Sequence, residues 1–135
     1  MKNKPMKTTV QKNKPPTGEK PVWFITGCST GFGRELAKQV LELGYRVVVT
    51  ARHPPDVKDL AALGEALVLK LDVTKQGQIS AAIKAAEKKF GRIDVLVNNA
   101  GIGYFAAIEE GEEIEVRRMF EISVFGLGRM IQAAP

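Results

Sequence analysis

Reactive and metal-binding side chains are scarce in this sequence of 135 residues, which contains one cysteine and one histidine. A single cysteine excludes a disulfide within the chain and is typical of proteins in a reducing compartment. Zinc sites usually draw on several Cys and His ligands, so we expect no metal site. No run approaches the roughly 18 apolar residues that a membrane span requires. We therefore expect a cytoplasmic chain that does not associate with membranes.

Arginine is absent from residues 1–21, which hold six lysines, one glutamate and four prolines. The remaining residues contain equal numbers of basic and acidic side chains, so the net charge of +5 belongs to this first segment. Its composition predicts a disordered basic tail, and it lacks the apolar region of a secretory signal. A basic arm can contact nucleic acid. We interpret this one as a solvated leader and expect no nucleic-acid partner.

Strand-like and helix-like segments alternate after the tail. The predicted strands are short and almost entirely apolar, and they span Val22–Thr26, Arg46–Thr50, Ala66–Leu71 and Ile93–Val97. The predicted helices span Gly31–Leu43, Asp56–Leu63, Lys75–Phe90, which Thr74 would cap, and Glu112–Ala134. This pattern predicts an α/β fold with a doubly wound, Rossmann-like parallel sheet in the order 3-2-1-4.

A glycine-rich segment joins the first predicted strand to the first helix. Its three glycines, Gly27, Gly31 and Gly33, have the spacing G-x-x-x-G-x-G. Glycine lets a backbone turn sharply and approach an anion closely, and the N-terminus of a helix offers free N–H groups and a positive dipole end. The segment therefore predicts a phosphate site, and with it the binding of a nucleotide.

Three further groups lie where the other predicted strands end. Arg52 follows the second strand, Asp72 and Val73 end the third, and Asn98–Gly101 ends the fourth. Ligands of such sheets bind at the carboxyl ends of the strands, so these groups and the glycine-rich segment should surround one crevice. In dinucleotide sites of this kind, a carboxylate after the second strand accepts a hydrogen bond from the 2′-hydroxyl of the adenosine ribose. Residues 50–52 contain no carboxylate, and the guanidinium of Arg52 instead suits a phosphate at the 2′ position of that ribose.

The T-G-x-x-x-G-x-G segment and the N-N-A-G strand end resemble the short-chain dehydrogenase/reductase family, and the resemblance covers residues 22–135. It implies an oxidoreductase that interconverts carbonyl and alcohol groups of a small molecule, with NADP(H) as cofactor and NAD(H) as the alternative. It also implies cofactor-binding roles for Gly27, Ser29, Thr30, Gly31, Phe32, Gly33, Arg52, Asp72, Val73, Asn98, Ala100 and Gly101. The loop residues would bind the pyrophosphate and adenosine, with Phe32 beneath the nicotinamide half. The other strand ends would bind adenine and ribose.

The sequence departs from the family's pattern in two respects. Ser123 stands where the family has an asparagine that holds a water of the proton relay, and we assign it a catalytic position. The family's Tyr and Lys four residues apart are not found, because Val49 and Ile108 follow Tyr45 and Tyr104 at that spacing. We therefore expect a partial dinucleotide-binding domain over 22–135, truncated after the fourth strand and its helix. The alternatives are a non-catalytic nucleotide-binding module and an inactive truncated product.

The resemblance also implies an assembly. In the resembling family the helix that corresponds to residues 112–134 joins a helical dimer interface. We therefore expect a homo-oligomer formed through this helix.

Overall fold

The structure is a computed structural model that describes residues 18–135. Most of the predicted basic tail therefore lies outside the described residues. Within its last part, the Lys20 ammonium donates a hydrogen bond to the carbonyl oxygen of Leu43 at 3.0 Å. The guanidinium of Arg46 donates to the carbonyl oxygen of Lys20 at 2.7 Å. These contacts join Lys20 to the folded body.

Four parallel strands form one sheet in the order β3-β2-β1-β4. Their bounds are Val22–Ile25 for β1, Arg46–Ala51 for β2, Ala66–Lys70 for β3 and Val95–Val97 for β4. The doubly wound α/β fold and the predicted strand order are confirmed. Because β1 pairs with both β2 and β4, the crevice at the carboxyl ends of the strands opens next to the end of β1.

Helices cover both faces of the sheet. The α-helices are α1 (Gly31–Glu42), α2 (Gln76–Phe90), α3 (Glu113–Phe120) and α4 (Leu127–Ala133). Two 3₁₀ helices span Pro54–Leu63 and Ile108–Glu110, and a π-helical segment, Glu121–Gly126, joins α3 to α4. None of the helices described in residues 18–135 combines the length and apolar character needed to cross a bilayer.

The two hydrophobic cores follow from the alternation of side chains along the strands. In β2, Val47 and Val49 face one core, which α1 and the first 3₁₀ helix close with residues such as Leu41 and Leu60. Val48 faces the opposite core, where α2 and α4 contribute residues such as Met130. All three valines are fully buried. One strand therefore supplies both layers, as a near-continuous apolar run predicts.

The short helix predicted at 56–63 is present as a 3₁₀ helix that begins two residues earlier, at Pro54. Two local predictions were wrong. Thr74 does not cap α2, since its hydroxyl donates to the carboxylate of Asp72 and Lys75 holds the N-cap position. The long helix predicted over 112–134 is interrupted by the π-helical segment.

The π-helical segment packs against the residues that follow β3. Gly126 is buried, and a Cβ on it would lie 2.7 Å from Cγ2 and 3.1 Å from the carbonyl oxygen of Val73. Only a residue without a side chain allows this approach.

Large apolar side chains are exposed elsewhere along 113–133, including Phe120 and Phe125.

We predict that Gly126→Ala destabilises the chain by about 1–3 kcal/mol, because the new methyl group overlaps Val73 and the backbone has little room to move. Gly128→Ala is the matched control, since its Cβ would meet nothing within 4 Å. That control should raise stability by about 0.5–1 kcal/mol through helix propensity alone. Urea unfolding followed by circular dichroism measures both changes, and equal effects of the two substitutions would contradict the packing argument.

Candidate functional site

A crevice of about 600 Å³ opens at the carboxyl ends of the strands. Its volume lies within the range that small-molecule ligands occupy. Most of the residues predicted from the sequence border it: Gly27, Ser29, Thr30, Phe32, Arg52, Asp72, Val73, Ala100 and Gly101. The remaining lining comes from Ala51, Leu71, Thr74, Asn99, Ile102, Arg118, Glu121 and Ile122. The structure thus brings together side chains that lie almost a hundred residues apart in the sequence.

The glycine-rich loop is built for close backbone approach. Gly27 and Gly31 have φ angles of 69° and 60°, in the left-handed region that favours glycine. A Cβ on Gly27 would lie 2.9 Å from the Cα of Ala100, so the loop lies directly against the chain that follows β4. Thr30 holds the N-cap position of α1 in an extended conformation, and its side chain makes no capping hydrogen bond. The helix therefore presents its N-terminal amide groups at the crevice.

A hydrogen-bonded junction ties the glycine-rich loop to the end of β4. The Thr26 hydroxyl oxygen accepts from the backbone N–H groups of Asn99 and Ala100 at 3.0 and 2.9 Å. It also lies 3.3 Å from the carbonyl oxygen of Val97, to which it donates. The Asn99 side-chain amide donates to the carbonyl oxygens of Thr26 and Gly27 at 3.2 and 2.9 Å. Residues 26–27 and 97–100 therefore form one unit.

The sequence places Thr26 at the end of the first strand and Asn99 within the group that ends the fourth, but it assigns neither side chain a role in the site. A signal was available, because both polar residues lie just after apolar strands that end at the same edge of a parallel sheet. Which of two adjacent asparagines points toward the loop depends on the twist and register of the strand, and these are properties of the folded sheet.

Four predicted site residues do not border the crevice directly. Gly33 lies behind it, where a Cβ would lie 2.3 Å from both the Gly27 carbonyl oxygen and the Asn99 amide nitrogen. Gly31 is exposed, and a Cβ on it would meet nothing within 4 Å, so its positive φ is the feature that favours glycine there. Asn98 is half-buried and does not line the crevice. Ser123 lies in the π-helical segment, with its Oγ 3.6 Å from the position of a Cβ on Gly101.

Asp72 is held as a carboxylate at the end of β3. Partial burial disfavours its charge, but two hydrogen bonds from Thr74 and the positive charges of Lys75 and Arg52 outweigh that effect and lower the pKa of Asp72. The Thr74 hydroxyl and N–H donate to the same oxygen at 2.7 and 2.9 Å. Arg52 and Asp72 both line the crevice, and the positive charge of Arg52 is one of the causes that lower the pKa of Asp72.

Cys28 is a filler of the loop. Its side chain is fully buried, and its thiol donates to the carbonyl oxygen of Ile25 at 3.3 Å. Burial raises the pKa of the Cys28 thiol to about 11, although a backbone hydrogen bond with Thr50 opposes this shift. A thiol with so high a pKa is a poor nucleophile and metal ligand at neutral pH. Within residues 18–135, no group of three or more His, Cys, Asp and Glu side chains could hold a metal ion.

Comparison with known proteins agrees with this geometry. A family model described as "short chain dehydrogenase" matches residues 21–135. Short-chain dehydrogenase PC-15 of Penicillium crustosum is 40% identical over 116 residues, which are 84% of this chain and 43% of the relative. The chain belongs to the short-chain dehydrogenase/reductase family. It spans about half the length, or somewhat less, of the curated relatives it matches.

Two solved structures of the family show the same fold with a cofactor bound. The 3-ketoacyl-(acyl-carrier-protein) reductase of Brucella melitensis, complexed with NADH, has a TM-score of 0.79 and 36% identity over 84% of this chain and 48% of its own. The alcohol dehydrogenase of Thermococcus sibiricus, complexed with 5-hydroxy-NADP, has a TM-score of 0.81 and 33% identity over 85% and 52%. Both nicotinamide cofactors thus occur among its structural neighbours.

We predict that Thr26→Val destabilises the chain by about 1–3 kcal/mol, because it removes the hydroxyl that accepts from the part-buried N–H groups of Asn99 and Ala100. The Asn99 N–H keeps a hydrogen bond to the carbonyl oxygen of Val97, whereas that of Ala100 loses its acceptor. Thr26→Ser is the matched control, since it keeps the hydroxyl and removes only a methyl group. It should retain most of the stability that Val loses. Chemical unfolding of the three proteins measures the difference, and a serine variant as unstable as the valine variant would show that the methyl group matters more.

Proposed function

We propose that this chain is the cofactor-binding part of an NADP(H)-dependent oxidoreductase that interconverts carbonyl and alcohol groups of a small molecule. The observation that supports this most directly is the crevice itself. Its positive-φ glycines, uncapped helix N-terminus and cationic Arg52 meet at the carboxyl ends of the strands. A Cβ at Gly27 or Gly33 would collide with neighbouring backbone, so the loop has little room for side chains there. These residues fit a dinucleotide that is bound through its phosphates.

The preference for NADP(H) rests on the end of the second strand. Sites that prefer NAD(H) place a carboxylate there, which accepts a hydrogen bond from the ribose 2′-hydroxyl. In this chain β2 ends at Ala51 and is followed by Arg52, whose exposed guanidinium borders the crevice. A guanidinium binds a 2′-phosphate through charge-assisted hydrogen bonds, which NAD(H) cannot offer.

We predict that the chain binds NADPH more tightly than NADH, and that Arg52→Ala removes most of this preference. A charge-assisted hydrogen bond contributes about 1.5–3 kcal/mol, so NADPH should bind roughly 10- to 100-fold more weakly to the variant. Binding of NADH should change little. Isothermal titration calorimetry measures the four affinities, and Lys58→Ala, which removes an exposed cation from the adjacent 3₁₀ helix, is the charge control. Equal affinities of the unaltered chain for both cofactors would contradict the assignment.

The chain's own residues would orient the cofactor, and Ser123 would contribute a hydroxyl next to the reacting groups. NADPH held in the crevice would supply the hydride for a carbonyl carbon. Asn99 and Thr26 hold the floor of the crevice, where the chain at Ala100 lies close against Gly27. Ser123, beside Gly101, would hydrogen-bond a water or the substrate oxygen in the place of the family's asparagine.

We predict that the 135-residue chain binds cofactor without measurable ketone reduction. Neither tyrosine of the sequence has a lysine four residues later, so the acid–base pair that the family uses is missing from these residues. General acid–base help is typically worth about 10²–10⁴ in rate. Loss of NADPH absorbance with a panel of ketones and aldehydes is the assay. Turnover that a Gly31→Trp substitution abolishes would show that these residues suffice for catalysis.

A non-catalytic nucleotide-binding module is the second candidate, and the same missing pair favours it. Binding without turnover agrees with both candidates when this chain is assayed alone. Ketone reduction measured with the protein purified from its natural source distinguishes the two candidates. Turnover there supports the oxidoreductase, and its absence supports the binding module.

The exposed apolar side chains along 113–133, which include Phe120, Phe125 and Ile131, support the further proposal of a homo-oligomer through this helical stretch.

A further inference from the structure

A second arginine, contributed by a helix and not by a strand end, borders the crevice. Arg118 lies in α3 and lines the same cavity as Arg52 and Asp72. Its position in the cavity is a separate observation that neither the glycine motif nor the strand ends explains.

The face of the helix that carries Arg118 is turned toward the end of β3. Gly126 packs against Val73, and Ile122, four residues earlier, packs against the core that contains Val73 and borders the crevice. Arg118 lies about one turn before Ile122 in the same helical stretch, and both residues border the crevice. Helical side chains lean toward the N-terminus, which carries the guanidinium beyond Ile122.

The charges around this position leave Arg118 available for a ligand. Both carboxylates of the crevice have partners: Glu121 pairs with Arg129 at 2.6 Å, and Asp72 accepts two hydrogen bonds from Thr74. Within residues 18–135 the ion pair recorded for Arg118 is a 4.0 Å contact with Glu115, both side chains being substantially exposed. A pair of this kind contributes little, so a bound ligand can replace it.

We propose that Arg118 covers the outer face of the adenine ring, with its guanidinium stacked on the base that lies against Val73 and Ile122. The inference rests on the proposed function, because it requires an adenine nucleotide in the crevice. A purine bound at the end of β3 has one face toward apolar side chains and the other toward solvent. A planar guanidinium can cover the exposed face by stacking, whereas an ammonium group cannot.

The proposal is tested with Arg118→Met and Arg118→Lys, with Arg117→Met as the control. Arg117 is the adjacent arginine of the same helix, does not line the crevice and pairs with Glu113 at 2.6 Å. Affinities are measured by calorimetry for 5′-AMP, 2′,5′-ADP and nicotinamide mononucleotide, which lacks adenine. Circular dichroism and thermal unfolding of each variant check that the fold is retained.

We expect both Arg118 variants to bind 5′-AMP and 2′,5′-ADP about 3- to 10-fold more weakly, by the same factor for the two ligands. Nicotinamide mononucleotide should be unaffected, and Arg117→Met should behave as the unaltered chain. Wild-type affinity in Arg118→Met or in Arg118→Lys would overturn the stacking role. So would a loss confined to 2′,5′-ADP, which would place Arg118 at the phosphate. If the unaltered chain binds no adenine nucleotide, the proposed function fails as well.

Discussion

The junction between Thr26 and Asn99 is the constraint on which the site depends. One buried hydroxyl and one side-chain amide satisfy backbone groups at the ends of β1 and β4, two strands that are separated by about seventy residues in the chain. Buried backbone groups without partners cost free energy, so these ends come together in one arrangement. That arrangement places Gly27 against Ala100 and Gly33 against the Asn99 amide. The glycines at positions 27 and 33 are thus a steric consequence of the junction.

The electrostatic character of the crevice follows from the same geometry. The parallel strands deliver Arg52 and Asp72 to one edge, and the N-terminus of α1 opens onto that edge without a capping side chain. Asp72 keeps its charge because Thr74 donates to it and nearby cations oppose its protonation. Within residues 18–135, Arg52 and Arg118 form no ion pair with the two crevice carboxylates, because Glu121 pairs with Arg129 and Asp72 accepts from Thr74. The cavity is therefore suited to a ligand that carries several phosphates.

The π-helical segment connects packing to the site. A widened turn over Glu121–Gly126 lets the buried Gly126 lie on Val73 while the preceding residues still reach the crevice. Such segments are often found at functional sites, because the extra residue redirects the side chains that follow. Here it brings Ser123 beside Gly101 and keeps Arg118, Ile122 and Gly126 along one side of the helical stretch. One helical stretch therefore packs against the core through some of its residues and lines the crevice with others.

The order of elements, the sheet and the position of the crevice could be predicted from the sequence, because they follow from local patterns. Apolar runs such as that of β2 make buried strands, and strand ends of a parallel sheet share an edge. The 3₁₀ geometry at Pro54 and the π-helical segment could not be predicted so well, because each is a choice between similar helical geometries. The role of Thr74 was decided by a local competition, in which the carboxylate of Asp72 accepts the hydroxyl that could otherwise cap α2. The same is true of the site: Gly27 and Arg52 were visible as a motif and a strand end. The sequence does not show that Asn99 rather than Asn98 donates to the loop, or that Arg118 lines the cavity. Both depend on how the twist of the sheet and the packing of the helices orient those side chains.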